Sequence, residues 1–468
     1  MSTTLGTRLR AALVSVSLGA VSLALVAASP AIAAVAAAGG PATPTELFNG
    51  ERACSTDATA PTYVWGGDGV QIEGVPQDTN APTSNGISVQ YQVWPTADPA
   101  QVTTLSHALA VTGSEASVVV QDTSLSDGQT YAWQAQTVDG SEASAWSAPC
   151  YFAVDDTPPS PAPTVTSSNY PQGGWDKGGA PVQFTFGANG DTDVAGYEFG
   201  WQSDLPVPVT AYVGDYGIPQ PVDVYADTKD FVRASALGGS ATVSLIPPSG
   251  SGPMTLYVVS LDRAVNESTQ SSYAFYVSST GPTVTPPSTL PGFDKTARFT
   301  LTPNSGVQAA SRVVSYTVQV TGGPTVTVKA AKDGTAKLRL KLNGVDGTAI
   351  TVSSTSANGW VSDGAWWTTG YVDTTPTVSS DVYVENGTSG GVGVPGTFTF
   401  TPKAGKAASY TYSFNSGPAV TVKAGAKGAA TIHWTPDATD EGFVDLNVYE
   451  TTKDGLVLSA YDYYFTVN

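Results

Sequence analysis

Two cysteines, two histidines and two methionines are all that 468 residues contain, and only 13% of the chain is charged. Scarce His and Cys leave little for metal centres or nucleophile–base pairs, which draw on those side chains. One charge sign is also short: 20 Lys and Arg stand against 39 Asp and Glu, a formal net of −19. A phosphate backbone needs a basic face to release its counterions, so nucleic acid is not an expected partner. Beyond the first 33 residues there is no long apolar run and no sustained helical stripe. That argues against a membrane span in a mature chain and against a helical bundle.

Turn formers and aromatics are plentiful. Gly 49 and Pro 33 suit short strands joined by many turns. Ten Trp and 21 Tyr make the chain too apolar for a disordered acidic tail. Period-two alternation recurs along it. Ile87, Val89, Tyr91 and Val93 alternate with Ser88, Gln90 and Gln92. Leu338, Leu340 and Leu342 alternate with Lys337, Arg339 and Lys341, and Tyr463, Phe465 and Val467 with Asp462, Tyr464 and Thr466. Such strands carry one buried and one wet face, and many of them with frequent turns predict β-sandwiches.

The chain opens as an export signal. Arg8 and Arg10 precede the uncharged residues 11–28, and Ala31-Ile32-Ala33 matches a small-x-small cleavage site. Eighteen apolar residues also border on a transmembrane anchor; the cleavage site favours a cleaved signal over 1–33. Removal leaves 18 basic against 39 acidic residues, a net of −21. The mature protein is then expected to be secreted or extracellular, held at a surface by non-covalent contact at most. In that compartment Cys54 and Cys150 predict a disulfide closing a loop near 100 residues, worth up to roughly 4–5 kcal/mol in the chain-entropy model.

Pro clusters divide the chain beyond the signal. Asp155-Asp156-Thr157-Pro158-Pro159, Gly281-Pro282 with Pro286-Pro287, and Asp373-Thr374-Thr375-Pro376 stiffen the chain and stop strands. They yield a flexible lead at 34–46 and four segments: 47–155, 156–280, 281–374 and 375–468. Repetition supports the division. FTLTP at 299–303 returns as FTFTP at 398–402, and SYTVQVTGGPTVTVKA at 315–330 as SYTYSFNSGPAVTVKA at 409–424. The spacing between the two blocks is about five residues longer in the third segment. A period of this length is whole-domain duplication. The second segment has a fainter copy and a Pro-, Asp- and Tyr-rich insertion at about 203–240 whose structure the sequence does not reveal.

Leu125, Asp127-Gly128 and Tyr131, with Ser144-Ala145-Trp146-Ser147, make the first segment resemble a fibronectin type III domain, which implies a corner hydrogen bond from Tyr131. Leu261-Asp262-Arg263-Ala264-Val265-Asn266-Glu267-Ser268 resembles the D-x-A-G-N-x-S turn of bacterial Ig-like domains, departing at Val265, where Gly is usual. The repeated blocks are similar to tandem Ig-like modules of large secreted actinobacterial proteins. The resemblance implies an all-β fold: tandem Ig-like/fibronectin III-like sandwiches, beads on a string.

Chemistry is sparse. His107 and His433 fall in different segments and read as surface histidines, and no nucleophile, zinc or phosphate-loop motif occurs, so no catalytic residue and no enzyme is expected. Acidic clusters sit in turns. Asn189, Asp191 and Asp193 read first as turn residues and second as candidate Ca2+ ligands, offering oxygens at alternating positions without a full twelve-residue loop. The aromatics are the better lead. Adjacent Trp366 and Trp367 on a strand point to opposite faces, one toward a core and one outward. The outward ring, and Trp175 on a turn-like stretch, either pack on a neighbouring module or stack on a sugar. The expected function is a non-catalytic extracellular structural or interaction protein with a spacer or adhesion role. The alternative is carbohydrate or cell-wall binding through exposed tryptophans. Expected partners are extracellular protein or polysaccharide.

Overall fold

The computed structural model describes residues 40–79, 86–404 and 406–468. The export signal at 1–33 and the start of the lead, through residue 39, lie outside the described residues. The fold is all-β, four sandwiches in tandem. Two-layer pairs of sheets succeed one another: four strands against six, three against five, then three against four twice. One six-residue helix, Ser305–Ala310, is the only α-helix among the described residues.

The expected flexible lead is corrected by the first sheet. Pro41–Asn49 is a strand paired antiparallel with Val70–Asp78. Pro41 and Pro44 obscure it in the sequence, yet Leu47 packs on the core, and the end that holds both prolines has a strand on one side only, where Pro is tolerated.

Alternation places the cores as expected. Ile87, Val89, Tyr91 and Val93 are all buried, as are Phe398 and Phe400. Each sandwich is then tied by a tyrosine. Tyr197, Tyr316 and Tyr410 occupy the repeated Gly-Tyr or Ser-Tyr site and donate to Gly239 O, Gly334 O and Gly428 O at 2.6, 2.6 and 2.7 Å. A buried phenol needs a partner, and these carbonyls of the opposite sheet's turns supply one while fixing sheet spacing. In the first module Tyr131 Oη stands 3.4 Å from Ser124 O, the corner contact implied by the fibronectin resemblance.

Strand register superimposes the last three modules. The isolated bridges Leu261–Glu267, Thr355–Val361 and Thr451–Val457 mark the same place in each final hairpin. Val265, Gly359 and Gly455 are therefore equivalent, and all three have positive φ: 72°, 92° and 81°. The turn demands a left-handed residue, and the second module meets that demand with a β-branched one.

Beads on a string describes the order of the sandwiches, while two of them share side chains. One continuous apolar cluster contains Phe184, Tyr197 and Phe275 of the second module together with Phe299, Val307, Tyr316 and Trp360 of the third. The first and fourth modules have cores of their own.

Candidate functional site: junctions and outward faces

Cys54 and Cys150 form a disulfide with a Cα–Cα distance of 5.4 Å. It ties the end of the first hairpin to the strand Cys150–Val154, and Tyr151 N donates to Ser55 O alongside.

Trp366 is 67% exposed, on the strand Ala365–Thr368. Trp367 faces inward and packs edge-on against Phe299 at 4.5 Å. By register it stands where Tyr273 and Tyr463 stand in the neighbouring modules, both buried core residues. Trp367 is therefore corrected from a stacking candidate to a core residue. Trp175 is 64% exposed and lies on Tyr276 at 5.0 Å with the planes 25° apart. Its short strand, Trp175–Asp176, runs parallel to Ser271–Val277, so the pair is set by backbone pairing.

The candidate calcium residues are otherwise engaged. Asn189 Nδ2 donates to Ala162 O. Asp191 accepts from Ser160 N and from Asp193 N. Asp193 is ion-paired with Arg263 at 2.6 Å. The trio braces a linker and neutralises an arginine, and among the described residues no group of His, Cys, Asp and Glu is arranged to hold a metal. His107 Nδ1 accepts from Ser117 N in the first module, and His433 lies beside Thr397 in the fourth.

The densest polar chemistry is at the junctions, and in the first of them the 261–268 turn meets the 155–159 linker. Between the first two modules, Arg52 donates to Tyr63 O, Arg263 O and Ala264 O at 2.8–2.9 Å. Arg263 in return lies over the Tyr63 ring, 3.6 Å from its centroid. Asn266 Nδ2 reaches back to Asp155 O at 2.7 Å. Burial first, then Asp262 and Asp193, raise the Asp155 carboxyl above the usual carboxylate range. The insertion folds over this corner: its hairpin, Ala211–Val213 with Pro219–Pro221, brings Tyr216 O to accept from Glu115 N. A cavity of about 360 Å³ remains, lined in part by Arg52, Asp223, Tyr225, Arg233 and Arg263. Three of the six arginines after residue 40 meet there, each already paired with carbonyls, carboxylates or rings.

Between the second and third modules the lock is apolar and polar together. The extra residues of the third segment form the helix Ser305–Ala310, capped by Asn304. Its Val307 is fully buried, so close to Gly179 that a Cβ there would lie 2.8 Å from the Val307 Cα. Asn358 Nδ2 donates to Gly179 O at 2.8 Å, and Trp360 is 1% exposed beside Gly178. Asp363 accepts from Thr280 N at 2.7 Å and Ser279 Oγ at 2.8 Å. At the last junction Ser459 takes the place of Asp363: Ser459 N donates to Thr374 Oγ1, which donates to Ser459 Oγ. Lys341 bridges to Asp454.

No family model and no curated protein matches the chain. Among solved structures it is similar to the tetra-tandem repeat in the extending region of a large adhesion protein, at 15% identity over 86% of this chain and 96% of that one, TM-score 0.23. It is also similar to a Ca2+-stabilized adhesin that helps an Antarctic bacterium reach out and bind ice, at 14% identity over 91% and 100%, TM-score 0.22. The chicken CNTN1 FN1–FN3 domains match at 11% identity over 66% and 100%, TM-score 0.24. What those proteins bind is not carried over to this chain by these likenesses. No helix among the described residues is long and apolar enough to cross a membrane.

Proposed function

We propose that this chain is a secreted, non-catalytic spacer: a strut that holds its ends apart outside the cell. One observation carries the reading. At every junction the linker is bonded into the final hairpin of the following module, through Asp155 with Asn266, Thr280 with Asp363 and Thr374 with Ser459. Free linkers let sandwiches swing, since relative domain motion is the default where interfaces are small. Here a clamp, a shared core and a capped threonine stand in place of free linker. The two histidines sit in separate modules, which is consistent with a mechanical role. Dyes placed in the first and fourth modules of the mature chain should report one narrow distance by single-molecule energy transfer. The double variant Asn358→Ala, Asp363→Ala should broaden it. A broad distribution in the wild type removes the strut.

A second reading, carbohydrate binding, is favoured by the Trp175–Tyr276 stack and by Trp366, flat rings left open to solvent. Retention on insoluble polysaccharide that survives Trp175→Ala and Trp366→Ala would exclude those two rings as the contact.

A further inference from the structure

The fourth module has an outward sheet face unlike those of its relatives. Along the strand Gly442–Thr452, Val444, Leu446 and Val448 enter the core, so Phe443, Asp445 and Asn447 face out. Along Tyr461–Val467, Asp462 and Tyr464 do the same. Phe443 and Tyr464 lie stacked, 5.5 Å between centroids and 23° between planes, with 68% and 38% of their surfaces exposed. Asp445 is the cross-strand partner of Tyr464, and Asn447 of Asp462. Asn447 Nδ2 donates to Asp462 Oδ1 at 2.6 Å, which holds both side chains on this face.

The fold does not require these residues. Register puts Gly347, Ala349 and Thr351 of the third module, and Pro253, Thr255 and Tyr257 of the second, where the fourth has Phe443, Asp445 and Asn447. Tyr464 is replaced by Thr368 and Ala274. Neither sandwich has this cross-strand pair or its carboxylates; Trp366 stands at the place of Asp462 in the third module, and the second carries the Trp175–Tyr276 stack instead.

Asp445 is also short of a donor. Its Oδ1 is shielded from solvent and has no hydrogen-bond partner. Burial, with Asp462 next to it, raises its pKa. The terminal torsion of Asp is broad and two-fold, so either oxygen can turn to a ligand laid on the rings. Such a ligand must bring hydroxyl donors and a flat apolar side.

We propose that this face binds an uncharged polysaccharide, its sugar rings stacked on Phe443 and Tyr464 and its hydroxyls donating to Asp445 and Asp462. Pyranose C–H faces match aromatic rings, and hydroxyl-to-carboxylate bonds are among the stronger neutral-to-ion contacts. A net charge of −19 repels acidic glycans, which selects for uncharged ones. The proposal rests on the carbohydrate reading above but moves the contact to a different module.

The test is affinity electrophoresis of the full mature chain through gels holding hydroxyethylcellulose, xylan, laminarin or glycol chitin. At least one should retard it. Phe443→Ala should weaken that retardation about tenfold, ~1.4 kcal/mol, and Asp445→Asn about threefold or more. Trp366→Ala and Trp175→Ala should leave it unchanged. Both Phe443 and Asp445 are on the wet face, so circular dichroism of these variants should match the wild type. Retardation abolished by the tryptophan changes and not by Phe443→Ala overturns this site and keeps the carbohydrate reading. No retardation in any of the four gels overturns both. Retardation only in a fifth gel, one holding chitosan, and lost at high salt, marks ion pairing and overturns the uncharged ligand. A concentration-dependent dimer broken by Phe443→Ala assigns the face to self-association and overturns it as well.

Discussion

The second and fourth modules share strand order and register yet treat the same outward face in opposite ways. In the second, the 203–240 insertion lies across it. Phe231, Val259 and Leu261 become a small dry cluster with Leu205, Tyr225 and Val265 packed around them. Glu198, flanked on the sheet by Val259 and Phe231, is sealed in with them, neither carboxylate oxygen having a partner. In the fourth module the equivalent of Glu198 is Thr411 and of Val259 is Tyr449, and neither is fully buried. One topology thus makes either a brace between modules or an open platform. What covers the sheet decides which.

Phe231→Ala should break this contrast most. Emptying the dry cluster should cost about 3–5 kcal/mol and expose the amides of 196–200 and 252–261 in hydrogen exchange. Phe443→Ala, the same truncation on the bare face, should stay within about 0.5 kcal/mol. Equal costs would show that the insertion does not form a core.

The trapped carboxyl predicts a pH effect of intermediate size. Burial first, then Glu267 and Asp230, push Glu198 up to about 8 from an ordinary 4.5. A carboxyl that is neutral in the folded state binds more protons folded than unfolded. Its contribution is complete below pH 4.5 and is lost as pH rises through 8. Exchange protection in the second module should therefore fall between pH 5 and 8, and Glu198→Gln should recover on the order of 2 kcal/mol at pH 8. Burial also raises Glu450, in the fourth module's core, to about 7. A shallower slope of the same sign should remain there. A second module that grows more stable with rising pH would contradict the burial of Glu198.

The smallest effect separates the two final hairpins. Val265 holds a left-handed backbone that Gly359 and Gly455 adopt freely, and it packs on the insertion's cluster. Relief of strain and loss of packing should offset each other in Val265→Gly, leaving thermal stability changed by less than about 1 kcal/mol. Gly455→Val has nothing around it to pack on. It should cost about 1–3 kcal/mol outright.

Much of this is legible in the residues, and the misses have causes. Period-two runs locate the strands because burial of one sheet face enforces them. The Trp366–Trp367 pair shows that one ring must turn inward, but not that the inward one replaces a core tyrosine. The Asp191 and Asp193 spacing resembles a set of oxygen donors because a turn brace and a cation site use the same residues. Arg263, seventy residues away, is the partner that Asp193 has here, and no local spacing points to it. Phe443 and Asp445 do not stand out in the sequence because alternation assigns a face and says nothing of which faces stay bare. Three buried glutamates, Glu73, Glu198 and Glu450, carry no signal at all. In sequence they are charged residues on strands, and only coverage from elsewhere removes their water.

Local pattern alone determined the all-β class, the number of repeats and the cysteine pair, because side-chain alternation, turn chemistry and duplication act between near neighbours or identical copies. Tertiary structure decided the rest: that a five-residue surplus is a helix wedged into the module before it, that an insertion caps one sheet, and that one aromatic pair is left open. Those outcomes depend on which surface meets which, a relation between residues a hundred positions apart that no local spacing encodes.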